Sequence, residues 1–156
     1  MDRETLDALL KDEYLFLQKT YEDFDQRALL IKGWSVTVAL GGLGLGFQYA
    51  RPALWGVAGV AGLLFWVLEA MWKSFQYSFG ARIQKIEAHF RGEEGEASMS
   101  PFQIYSEWFA TYQSSPFLID LARTAFLPLV CVPHSMLVIA AAVLLVLNYV
   151  FKVKLV

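Results

Sequence analysis

Cysteine is almost missing from this chain. Cys131 stands alone, which excludes an intrachain disulfide framework and any cysteine-based metal cluster. The histidines, His89 and His134, have no second His or Cys at ligand spacing, so no metal is expected. Neither His has an evident Ser or Cys partner arrangement, and paired carboxylates occur only in solvated runs such as Glu93-Glu94. No GxGxxG, Walker-A, HExxH or GxSxG pattern occurs, and Gly41–Gly46 has no Lys-Ser/Thr sequel. The expectation is a protein without catalysis or cofactor. Basic residues are scattered among acids instead of forming a stripe, which argues against nucleic acid as a partner. Met1–Leu10 is charged and lacks an apolar stretch before a small-residue cleavage site, so no secretory signal peptide is expected. The first hydrophobic run is then its own insertion signal.

Charge is also missing from three long stretches, and these organise the chain. Gly33–Tyr49 and Ala53–Leu68 are uncharged apolar runs joined by Ala50-Arg51-Pro52. With flanking aromatics, each comes near the ~20 residues needed to cross a bilayer. A third run, Thr124–Phe151, is broken early by Pro128 and Pro133, which predicts Pro133–Phe151 as its regular helix. Only helices and closed barrels satisfy their backbone in lipid, and no period-2 alternation is seen. The fold class expected is therefore all-α: three transmembrane helices with long cytosolic helical extensions. A hydrophobic fraction of 56 % over 156 residues agrees with a lipid bilayer as solvent.

Small residues line the first two spans. Gly33, Gly41, Gly42 and Gly46 lie on the first, and Gly56, Gly59 and Gly62 on the second. They let helix backbones approach, either within the hairpin or between copies of a homo-oligomer. Glu69 is the one carboxylate in the second span, and Lys73 follows at i+4 in the favourable orientation. The pair reads as an interfacial ion pair or as a carboxylate facing an ion path. His134, at the start of the third span, reads as a hydrogen-bonding group at the interface.

Outside the spans the pattern is amphipathic. Leu10, Tyr14, Leu17, Tyr21 and Phe24 step by four and three, continued by Ala28 and Ile31, on a helix with no Gly or Pro between Asp2 and Lys32. This seam packs on the chain's own helices or on a second subunit. After Lys73 a stalk is expected to run unbroken to about Arg91, ended by Gly92-Glu93-Glu94-Gly95-Glu96. Its Arg82, Lys85 and Arg91 face the acidic Glu22, Asp23 and Asp25 as candidate pairs. Ser100-Pro101-Phe102-Gln103 reads as a capped helix start. The helix it opens carries Phe102, Tyr105, Trp108, Phe109 and Tyr112, a face for packing, for the headgroup layer or for a cytosolic protein partner.

These features divide the chain into a cytosolic amphipathic helix (1–32), a transmembrane hairpin (33–72), a cytosolic helical insert (73–123) and a third span with the C-terminus (124–156). Most basic residues fall on the side of the first and third segments. Only Arg51, Lys152 and Lys154 fall on the other, which predicts a cytoplasmic N-terminus and an outside C-terminus.

Tyr14–Lys19, Phe24–Ala28, Gly33–Thr37 and Glu69–Tyr77, with the Arg82–Glu87 stalk, together resemble uncharacterised small bacterial multi-pass inner-membrane proteins. More distantly, a cytosolic helix, a tight hairpin and a returning cytosolic helix resemble SLATT-type transmembrane effectors of bacterial conflict systems. The second resemblance implies an oligomer whose cytosolic helices pass a partner or ligand signal to an ion-permeable pore. The competing expectation is a membrane-embedded accessory or scaffolding subunit that docks a protein through its aromatic layer.

Overall fold

A computed structural model describes residues 2–93 and 99–151. The acidic loop beyond Glu93 and the anchors Lys152 and Lys154 lie outside the described residues. Every element in the described residues is helical: α1 (Arg3–Gln48), α2 (Ala53–Tyr77), α3 (Gly80–Phe90), α4 (Ile104–Gln113), α5 (Phe117–Ala125) and α6 (Pro128–Tyr149). Three of the helices are long and apolar enough to cross a membrane. Their apolar windows are only 17–28 % buried inside the protein, so most of their large side chains face outward. Outward-facing Leu, Val and Phe in such number are the reverse of a water-soluble fold and fit a hydrocarbon solvent. The fold is thus all-helical among the described residues, with three candidate membrane spans.

The chain forms two compact units: Met1–Gln26 with Trp72–Asp120, and Arg27–Met71 with Leu121–Val156. In the first, α1 begins at an Asp2 cap whose carboxylate accepts from the Thr5 amide at 2.7 Å; the Thr5 hydroxyl first and this amide second hold the Asp2 carboxyl below the ordinary aspartate range. Leu6, Leu10 and Leu17 close on Ile83 and Ile86 of α3 and on Met99, with Tyr14, Tyr21, Phe79 and Ile104 around them. Phe24 meets Trp72 at 4.8 Å and Phe79 at 5.7 Å between ring centroids. The whole Leu10–Phe24 seam is therefore covered by the chain's own side chains. Burying one leucine in this way contributes about 1.5–3 kcal/mol.

The expected unbroken stalk is interrupted by a two-residue turn at Ser78–Phe79. Here the Phe79 amide donates to Gln76 O, a tightened i−3 bond, while the Phe75 carbonyl accepts from Trp108 Nε1 at 3.0 Å. At the other end of α3, Glu93 N bonds to Ala88 O and Gly92 N to His89 O, with Gly92 at φ +74°. That is a Schellman stop, and it needs the left-handed residue that glycine supplies.

The start expected at Ser100 is displaced to Ile104, with Gln103 at the cap and no side-chain cap bond. Ser100 O accepts from Arg82, and the Phe102 amide donates to Glu13 at 2.9 Å. The backbone groups that would have opened a helix are thus committed to α1 and α3, and Phe102 is held at φ +63°.

In the second unit, α1 and α2 form a hairpin closed by the same stop geometry. Arg51 N bonds to Gly46 O and Ala50 N to Phe47 O, with Ala50 at φ +51°. Leu43, Trp55, Ala58 and Ala141 are its core, flanked by Leu144 and Leu145. The third span starts at Pro128, earlier than expected, and Pro133 sits inside α6. Pro128 occupies the first turn, where its missing N–H costs nothing, and Leu127 before it is extended.

The glycines split by face. A Cβ on Gly42 would lie 3.0 Å from Ala58 Cβ, on Gly59 3.2 Å from Ala141 Cβ, and on Gly62 3.3 Å from Val138 Cγ2. Gly56 touches only Leu145, at 3.9 Å, and Gly33 and Gly41 meet nothing within 4 Å. At Gly46 a Cβ would come 2.3 Å from Trp55 Nε1, whose ring is fully buried and donates to Leu43 O at 3.1 Å. Gly46→Ala must therefore displace the indole and is expected to destabilise the hairpin by about 1–3 kcal/mol. Gly41→Ala should leave stability within about 0.5 kcal/mol. Paired thermal melts in detergent check this; equal shifts would refute it.

Candidate functional site

The second unit holds a chain of polar side chains inside apolar helices. Lys32 and Ser35 stand three residues apart on α1, so they share one face. Glu69 comes from α2 and His134 from α6. Lys32 Nζ donates to Glu69 Oε1 at 2.5 Å, Glu69 Oε2 meets His134 Nε2 at 2.9 Å, and His134 Nδ1 meets Ser35 Oγ at 2.9 Å. Ser35, Glu69 and His134 are fully buried, and Lys32 keeps 20 % exposure.

Proton positions follow from the donor inventory. An ionised Glu69 can only accept, so His134 Nε2 carries a hydrogen and donates it. With the ring neutral, His134 Nδ1 accepts from the Ser35 hydroxyl. In that state one positive charge on Lys32 balances one negative charge on Glu69. Isolated, either charge would be costly among these apolar helices; paired and hydrogen-bonded at every atom, the set is sustainable.

Neighbouring contacts fix Glu69 in place. Thr124 Oγ1 donates to Ala70 O at 3.0 Å, and Trp66 Nε1 donates to Ala125 O at 2.8 Å, so the end of α5 is fastened to α2 on both sides of Glu69.

The ion pair expected between Glu69 and Lys73 is replaced by this arrangement. Glu69 points to α1 and α6, whereas Lys73 Nζ bonds to Asp25 and, at 2.8 Å, to Gln76 Oε1. His134 is not a surface group but the centre of the chain. Lys32 and Ser35 escaped the sequence reading, and His134 reads there as a hydrogen-bonding group without its partners, because those partners are remote in sequence. The available hint was Lys32 followed by Ser35 at i+3, at the mouth of a charge-free run.

The order Ser35–His134–Glu69 is that of a hydrolase triad. Ser35 Oγ, however, is sealed from solvent within a continuous helix whose N–H groups are spent on its own carbonyls. An oxyanion would find no donors there. What the arrangement can do is hold three helices together through charge and respond to a change in it.

The first unit has its own buried pair. Arg82 Nε and Nη2 bond to Glu13 Oε1 and Oε2 at 2.8 and 3.0 Å, both side chains almost fully buried. The pairing of Arg82, Lys85 and Arg91 with Glu22, Asp23 and Asp25 gives way to other partners: Lys85 meets Glu107 and Arg91 meets Glu93. His89 Nε2 meets Asp7 at 2.8 Å, and Tyr14 OH donates to Glu87 at 3.0 Å. The aromatic layer divides. Trp108 and Tyr112 stack at 5.3 Å and pack on Phe75, with Trp108 also against Phe79, whereas Phe102, Tyr105 and Phe109 face outward. Among the described residues no group of three or more His, Cys, Asp or Glu could hold a metal.

No family model, curated protein or solved structure matches the chain.

Proposed function

We propose that this is a non-enzymatic protein of the bacterial inner membrane in which a signal from a partner or ligand acts on the transmembrane bundle through the Lys32–Glu69–His134–Ser35 chain. In an oligomer, that step opens an ion-permeable path. The N-terminus is cytoplasmic and the C-terminus outside, on the placement of basic residues. The observation that carries the reading is the buried four-residue chain itself. Ionisable groups inside apolar spans are expensive, and they are retained where they serve a path or a switch. The core of Leu43, Trp55, Ala58 and Ala141 fills the unit, so ions pass only if helices shift. The polar chain is the part whose rupture would let them do so.

The test is loss of trapped potassium from liposomes. The native protein is expected to hold the gradient, Glu69→Gln to release it at least about tenfold faster, and a Lys32→Met, Glu69→Leu, His134→Phe variant to be tight again. Equal leakage from all three would sink the proposal. A second reading, a scaffolding subunit for a cytosolic protein, is favoured by Phe102 and Tyr105, each 72 % exposed. A tight Glu69→Gln variant together with a stable co-purifying partner lost on Tyr105→Asp would select it.

A further inference from the structure

The outward face of α5 is apolar and exposed. Leu118 is 73 % exposed and Ile119 60 %; one turn on, Ala122 and then Phe126, at 72 %, continue the same side. Arg123 lies exposed at its edge, while Thr124 on the opposite side is buried. Only Phe126 and Leu127 separate α5 from α6, the most apolar of the candidate spans, and Leu129 in its first turn is 79 % exposed. The end of α5 is also fastened to α2 at Trp66 and Ala70, the latter within one turn of the interfacial-type residues Trp72 and Lys73.

We infer that α5 lies in the plane of the bilayer surface, its Leu118–Phe126 face sunk at the boundary between headgroups and acyl chains. The occupant of this face is phospholipid. The inference rests on the reading that α2 and α6 cross a bilayer. Given that, the two bonds to α2 and the two-residue link to α6 leave α5 no depth other than the interface. There an amphipathic helix buries its apolar side several ångströms into the lipid, and an arginine at its edge reaches the phosphates along its own methylene stem.

The experiment uses the native chain in nanodiscs of phosphatidylethanolamine and phosphatidylglycerol doped with a phospholipid carrying a diazirine near the top of one acyl chain. Photolysis and peptide mapping should place label on the 117–126 segment and on the outward residues Ile139 and Val143 of α6, which are 59 % and 49 % exposed. Leu118→Asp should lower label on the 117–126 segment by about fivefold, because lipid affinity follows buried apolar area, and leave Ile139 labelled as before. Label on Ile139 and Val143 with none on 117–126 would overturn the interfacial placement and leave the spanning reading intact. Label on neither would overturn both. If 117–126 is protected only in discs holding two copies, and a Leu118→Cys variant on a Cys131→Ser background cross-links between them, a second copy is the occupant and the inference fails.

Discussion

Glu69→Ala is expected to destabilise the unit of Arg27–Met71 and Leu121–Val156 by about 3 kcal/mol, the low end of the cost of breaking a buried pair. The low end applies because Lys32 retains 20 % exposure and can draw partly into solvent. The loss arises from what remains: an ammonium on α1 without its counter-charge, and a fully buried His134 whose Nε2–H has nothing to donate to. Replacing the set together by Lys32→Met, Glu69→Leu and His134→Phe removes those orphans and should recover most of the stability. Denaturant or thermal unfolding of the purified protein in detergent reads both. If the single variant is as stable as the parent, the chain is not what holds these helices. If the triple variant is no better than the single one, shape rather than charge is decisive.

Arg82→Ala should cost about 3–5 kcal/mol in the other unit and free the loop before α4. Arg82 makes two bonds to Glu13 and a third to Ser100 O, and Glu13 also accepts from the Phe102 amide. Removing the guanidinium therefore strands a buried carboxylate and releases both ends of Ser100–Phe102. Arg82→Lys should rescue little, since an ammonium cannot make the parallel two-bond contact. Limited proteolysis reads the segment directly: cleavage between 99 and 104 should accelerate at least about tenfold in both variants. Cleavage that speeds up elsewhere but not there would contradict the assignment of this pair as the loop's anchor.

The parts of the fold that sequence reveals are those governed by neighbours along the chain. Charge-free runs of span length locate the three apolar helices, and Gly92 before an acidic cluster marks the end of α3. Leu10 and Leu17, seven apart, are both completely buried, which is what a four-three seam demands. The parts it conceals are governed by which helix faces meet. Spacing pairs Glu69 with Lys73, yet the carboxylate turns to residues 37 and 65 positions away. The cap pattern at Ser100 is sound local chemistry, overridden because Glu13 and Arg82 claim the same backbone groups. Pro133 reads as a break, but in the second turn it forfeits a single helix bond, which α6 tolerates. Glycine content signals close approach without saying which face approaches what: Gly42, Gly46, Gly59 and Gly62 meet helices of the same chain, and Gly33 and Gly41 do not.

Lys32 and Ser35 are one helical turn apart, so the polar chain occupies roughly 5 Å along the bundle, against ~30 Å of hydrocarbon. It is a collar, not a wire. Any conduit opened by loosening it would be greasy over most of its length, and water would fill or abandon that stretch as a body. If the proposed path opens, single-channel records should show abrupt jumps between shut and one full level, with no graded intermediates.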